Sequence, residues 1–179
     1  ILEFFPANKA WQSVSTHGFR TFLKVSKNNK DFFYEPFHNG FTNLSYKITN
    51  RIYILPYELT IEEENKTLNL VTRIKYFNIP NDNYAGLARI VELKNLNKNL
   101  IKIELLDGLP QIVPYGTNNY CLKKMSRTIE AWMGVENLKN NAPFYRLTVD
   151  PADRPEIVHI KEGNFYLGFS SEAKKTKLI

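Results

Sequence analysis

From about residue 51 onward, apolar and polar positions alternate with period two, the spacing that puts successive side chains on opposite faces of a strand. In Arg51 to Glu62 the set Tyr53, Leu55, Tyr57, Leu59 and Ile61 points one way, and Glu58, Thr60 and Glu62 the other. After a turn at Glu63-Glu64-Asn65-Lys66, Leu68, Leu70, Thr72, Ile74 and Tyr76 alternate with Asn69, Arg73 and Lys75, so the two runs predict a long hairpin with one solvated face. A second hairpin is expected from Leu87 to Leu93 and Leu100 to Leu106 across the asparagine-rich Lys94–Asn99. A third is expected from Glu156 to Ile160 and Asn164 to Phe169, with Gly163 supplying a positive φ. Phe19 to Val25 and Lys30 to Phe37 read as one more strand pair around Ser26-Lys27-Asn28-Asn29.

The segment Asn118 to Leu138 fits both periods. The reading adopted is a short helix over Asn118 to Met125, then a strand over Arg127 to Glu136 that pairs with Phe144 to Val149 across Asn137–Asn141. At least eight strands, with no helical pattern between successive ones, predict a mainly β fold, a large antiparallel β-sandwich with one or two short helices. The expected organisation is a single domain over 1–179, cut from a larger multidomain chain: the sequence starts at Ile1 and runs straight into aromatic residues.

Composition narrows the class. A chain of 179 residues is long enough to bury its own core. With Cys121 as its single cysteine it has no internal disulfide, which points to a reducing compartment and the cytoplasm. Glu3 and Pro6 interrupt the opening apolar run, so no signal peptide is read there, and no run approaches the roughly 20 apolar residues of a membrane span. The net charge of +6 is dispersed except at Lys174-Lys175-Thr176-Lys177, read as a solvated terminus. The sequons at Asn43 and Asn65 read as accidental in a chain without a secretory signal.

Candidate chemistry is thin. His17, His38 and His159 stand far apart and Cys121 has no second cysteine, so no metal site is expected, and no cofactor. There is no Gly-x-Ser-x-Gly elbow, phosphate loop or dinucleotide fingerprint. Glu58, Glu62, Glu104 and Asp107, the carboxylates that could serve a glycosidic bond, read as solvated or strand-end groups, and Arg73 and Arg89 as solvated sheet cations. Phe19, Phe22, Phe32, Phe33, Phe165 and Phe169 read as core. Trp11, Tyr115 and Trp132, in segments of ambiguous pairing, and the polar pair His17 and Arg20 are the candidates to face carbohydrate or a partner domain.

Six stretches carry a family resemblance. Ala88-Arg89-Ile90-Val91-Glu92-Leu93-Lys94-Asn95, Ile101 to Leu106 and Asp107-Gly108-Leu109-Pro110-Gln111-Ile112-Val113-Pro114-Tyr115-Gly116 resemble the amino-terminal domain of glycoside hydrolase family 94, the cellobiose phosphorylase family. Met125-Ser126-Arg127-Thr128-Ile129-Glu130-Ala131-Trp132-Met133, Asn141-Ala142-Pro143-Phe144-Tyr145-Arg146-Leu147 and the opening Trp11 to Arg20 look most like its oligo-β-1,2-glucan phosphorylase branch. The resemblance implies a galactose-mutarotase-like supersandwich that supports a catalytic helical domain of the same chain and a homodimer. The parent enzyme would perform an inverting phosphorolysis of β-linked gluco-oligosaccharides with inorganic phosphate as co-substrate. The catalytic acid and phosphate site would lie outside this segment, so the resemblance carries no catalytic residue onto it. The rival readings are a free-standing carbohydrate-binding module, a mutarotase-type epimerase and a basic nucleic-acid binder. The last lacks any clustered Arg and aromatic motif, so neither nucleic acid nor membrane is expected as a partner.

Overall fold

The structure, a computed structural model, describes residues 18–38, 45–117, 121, 124–125, 127–152 and 155–171. Trp11, His17, the Asn43 sequon and the basic tail lie outside the described residues. The fold is mainly β, and all of its sheets are antiparallel. The chain divides into two compact units, 1–109 and 110–179.

Among its described residues the first unit holds seven strands: β1 (Arg20–Lys27), β2 (Lys30–Tyr34), β3 (Ile48–Ile54), β4 (Glu58–Asn65), β5 (Leu70–Asn78), β6 (Leu87–Asn95) and β7 (Lys102–Gly108). They form two sheets, β2-β1-β7 and β3-β4-β5-β6. Alternation drives their packing: Leu23, Val25 and Tyr34 of the first sheet meet Leu70 of the second and Leu68 of the turn before it in one buried cluster, flanked by Phe32, Ile48, Leu93 and Ile103. Asparagine makes the turns. Asn28 and Asn29 take positive φ between β1 and β2, as a two-residue hairpin requires, and Asn69, Asn81, Asn137 and Asn141 do the same elsewhere. Among the described residues other than glycine, only Phe37 (φ 63°) joins them.

The second unit has a four-residue helix α1 (Arg127–Glu130) and the sheet β10-β9-β8, built from β8 (Met133–Glu136), β9 (Phe144–Leu147) and β10 (Asn164–Phe165). Ile129, Leu147 and Cys121 are its buried centre, with Met125, Trp132, Met133 and Ile160 against them. Arg146 reaches across the sheet, donating from Nε to Glu136 Oε1 at 2.7 Å and from Nη1 to the Ile160 carbonyl at 2.9 Å.

Several expectations are corrected. Arg51 to Glu62 is two strands: Pro56 sits in a turn closed by Leu55 N–H to Glu58 O at 2.8 Å, and beyond it the parity of the faces changes. Residues 63–65 continue β4, and the turn falls at 66–69. β6 and β7 form no hairpin: β6 pairs with β5 and β7 with β1, because residues 96–101 carry the chain from one sheet to the other. Residues 156–160 form no strand, and β10 pairs with β9 instead. Gly163 has no positive φ. It is glycine because a Cβ there would lie 2.5 Å from both Phe144 Cζ and the Tyr145 carbonyl oxygen. Residues 127–130 are helical where a strand was expected, although β8 and β9 pair as anticipated, Met133 opposite Leu147. Of the expected helix over Asn118 to Met125, the described residues Cys121 and Lys124 are helical, and Met125 N–H donates to Cys121 O at 2.9 Å. The Asn65 sequon has a buried asparagine whose Oδ1 accepts the Thr67 and Leu68 N–H groups.

Candidate functional site

The register of the four-stranded sheet sorts its side chains into two faces. Ile48, Ile52 and Ile54 of β3 share a face with Leu59 and Ile61 of β4, Leu70, Ile74 and Tyr76 of β5, and Leu87, Arg89 and Val91 of β6. At the Ile48 and Leu70 end this face is covered by the other sheet. At the opposite end it is open. Ile54 is 79% exposed, and Ile52, Leu59 and Leu87 are exposed with it, as are Leu55 and Tyr57 in the β3–β4 turn. The strand ends enclose a shallow hollow of about 290 Å³ between Ile54, Leu55, Tyr57, Tyr76, Phe77 and Leu87. A cluster of exposed apolar side chains of this kind is suited to a contact surface.

The reverse face is electrostatic. Glu62, with its side chain 8% exposed, is gripped by Arg73 and by Arg51 at 2.9 Å, while Arg51 also reaches Glu64 at 3.3 Å and Arg73 lies 3.9 Å from Glu92. The two guanidiniums, Arg73 first, hold the Glu62 carboxyl below the ordinary carboxylate range against the opposing effect of burial. Glu62 is therefore buried by its partners, where the alternation predicted solvent.

Between the two sheets sits a closed polar network. Arg89 of β6 pairs with Asp107 of β7 and donates to Thr21 Oγ1 at 2.8 Å and to the Tyr76 hydroxyl at 3.0 Å. Thr21 in turn donates to Asp107 at 2.6 Å. The Arg89 guanidinium lies 4.9 Å from the Phe19 ring centre and 5.6 Å from that of Tyr76. Arg89 is thus a buried tie rather than a solvated cation, and Asp107 its counter-ion rather than a free turn carboxylate.

The candidates singled out in the sequence scatter. Arg20 makes a two-pronged bond to Glu35 at 2.8 and 2.9 Å and stacks over Phe22, which leaves its donors engaged inside the first unit. Tyr115 is 60% exposed, on the rim of a hollow of about 190 Å³ in the second unit whose other walls include Leu147, Asp150, His159 and Glu162. Trp132 is half-buried against Ile129 and Leu147, and its carbonyl accepts the Thr148 N–H at 2.7 Å. The aromatic assignments also divide: Phe19 and Phe32 are half-buried, but Phe22, Phe33, Phe165 and Phe169 are exposed, because their positions fall on the outer faces of two small sheets or beyond their ends. The open end of the β3–β4 hairpin was missed, since reading Arg51 to Glu62 as one strand put Ile52 and Ile54 on the polar side.

Among the described residues no group of three or more His, Cys, Asp or Glu side chains could hold a metal ion, and no helix is long and apolar enough to cross a membrane. No protein-family model matches the chain, and no curated protein matches it.

Proposed function

We propose that this chain is a non-catalytic β-sandwich domain of a cytoplasmic carbohydrate phosphorylase, one that supports a helical catalytic domain and its homodimeric assembly. Two things support the reading. The stretches at 11–20, 88–95, 101–116, 125–133 and 141–147 resemble the amino-terminal domain of the cellobiose phosphorylase family. The observation that carries it is the open apolar end of the four-stranded sheet around Ile52, Ile54, Leu55, Tyr57, Leu59 and Leu87, a surface suited to burial against another domain. Its strong cation–carboxylate pairs, Arg20 with Glu35, Arg89 with Asp107 and Arg146 with Glu136, are spent on holding strands together. In this reading phosphate and a β-linked gluco-oligosaccharide react on the helical domain, and the sandwich contributes shape and contact.

The test mixes this chain with the helical catalytic domain of such a phosphorylase. Saturable association is expected by calorimetry, with sugar phosphate released only where the helical domain is present. Release of sugar phosphate by this chain alone, or saturable heat with gluco-oligosaccharides and none with the helical domain, overturns the reading, and the latter result establishes a carbohydrate-binding module. The mutarotase-type rival has one observation in its favour, His38 Nδ1 at 3.9 Å from Glu35 Oε2. That carboxylate is already held on both oxygens by Arg20, and polarimetry of anomer interconversion tests the rival directly.

A further inference from the structure

Glu63 is an ionisable side chain in the wrong place for one. It lies on the apolar face of β4, is 1% exposed, and has Asn50 of β3 and Thr72 of β5 directly opposite in the register. Its Oε2 accepts the Phe37 N–H at 2.7 Å, while Oε1 is buried with no partner. The Thr72 hydroxyl and the Asn65 amide nitrogen, on the same face, are likewise buried and unpartnered. A buried carboxylate with one free oxygen costs far more than a buried carboxylic acid.

The residue it holds is also unusual. Phe37 takes φ 63°, a left-handed conformation that a bulky aromatic adopts only under constraint, and it follows Pro36 in the turn between β2 and the chain leading to β3. The same turn carries Glu35, bound to Arg20, and His38 beside Glu35. A strained turn is therefore fastened to the sheet through a backbone amide on a group whose charge the interior rejects.

We propose that Glu63 and the turn Glu35–His38 form a proton-operated latch, closed while Glu63 is a neutral acid and released when it ionises and draws water to its face of the sheet. The groups that share its face bring no cation to it: Asn50, Thr72 and Asn65 are neutral, and the covering sheet brings Tyr34, whose hydroxyl is buried without a partner. Glu62 and Glu64 lie on the opposite face of the strand with Arg51 and Arg73, and in the turn Glu35 already holds Arg20 with His38 next to it. Burial pushes the Glu63 carboxyl up to about 7, against the smaller opposing effect of the Phe37 N–H. The latch therefore switches near neutrality, with the closed form on the acid side.

The test uses the whole chain. Hydrogen exchange of the Phe37 amide, corrected for its intrinsic pH dependence, is measured from pH 5.5 to 8.5 alongside the carboxyl carbon shift of Glu63. Protection of Phe37 is expected to fall at least tenfold across the range, with the same midpoint as Glu63. In Glu63→Gln, which keeps the acceptor and cannot ionise, protection is expected to stay at its acid value throughout. In Phe37→Gly, which relieves the strain but keeps the amide, Glu63 is expected to titrate as before with a smaller loss of protection. A Glu63 midpoint near 4.5, or Phe37 protection that does not follow it, overturns the proposal. Should Glu63→Gln fail to fold, the wild-type titration alone decides.

Discussion

Arg89 and Asp107 form an ion pair that joins the two sheets of the first unit, with the arginine side chain 5% and the aspartate 19% exposed. Every nitrogen of the guanidinium finds an oxygen, on Asp107, Thr21 or Tyr76. A pair closed in this way resists single substitutions more severely than joint ones, because removing one partner strands the other charge in the interior.

Arg89→Ala is expected to lower the free energy of unfolding by about 3 kcal/mol. Arg89→Met combined with Asp107→Leu is expected to recover most of the loss. Urea denaturation of the three proteins checks both statements, and equal losses for the single and double variants would show that the charges are not coupled.

Glu62 and Glu63 are neighbours on opposite faces of β4, and their pH dependences run in opposite directions. Glu62 is held below the ordinary range by Arg73 and Arg51, so its contribution is present above the unfolded carboxylate pKa and is lost as pH falls through the lower folded value. Glu62→Gln is expected to cost about 1–3 kcal/mol at pH 7 and nothing in strong acid. Denaturation curves of the two proteins that converge below the folded pKa are the expected result.

For Glu63 the sign reverses. Below about 4.5 the group is neutral in both states. From there to about 7 the folded chain keeps a proton that the unfolded chain releases, so stability declines with rising pH and levels off above the folded value. A shift from 4.5 to about 7 corresponds to about 3 kcal/mol. Glu63→Gln is expected to be the more stable protein at pH 8.5 by an amount of that order, and to lose the alkaline decline in melting temperature.

At Gly163 the constraint is steric. An alanine Cβ would meet the Tyr145 carbonyl at 2.5 Å, and backbone cannot step aside as a side-chain tip can. Gly163→Ala is expected to cost about 1–3 kcal/mol and to detach β10 from β9, seen as lost protection at Phe165 while β1 and β5 are unaffected.

Ile54→Lys at the open end of the four-stranded sheet removes apolar surface without touching the core. Unfolding free energy is expected to change by less than about 0.5 kcal/mol, while binding of a hydrophobic dye and association with the helical domain both weaken. Association that survives the substitution would place the contact elsewhere.

Much of this was legible in the alternation of side chains. Leu70, Thr72 and Ile74 lie on the core face as their spacing demands, and the asparagines mark the turns because their short amide side chains tolerate positive φ. The partners of the strands were not legible. Period two identifies β6 and β7 as strands but carries no information on which sheet each joins, and the crossing at 96–101 resembles an ordinary hairpin loop in composition. A single proline turn at Pro56 was enough to exchange the faces of Ile52 and Ile54, and with them the open apolar end of the four-stranded sheet. Arg89 was read as a solvated cation because nothing local announces Asp107, a partner on another sheet. The candidate Tyr115 does reach a hollow, whereas Arg20 and Trp132 are committed to their own units.

The pairing of β1 with β7 sets the order in which this chain can be completed during synthesis. Thr21 and Asp107 bond side chain to side chain although they are 86 positions apart, whereas β3, β4 and β5 each pair with the next strand to leave the ribosome. A nascent chain can therefore finish its four-stranded sheet while one edge of β1 is still bare, and that edge stays open to wrong partners until β7 arrives. Any nascent chain stalled before Lys102 would hold a formed hairpin and a formed sheet with the seam between them unsewn.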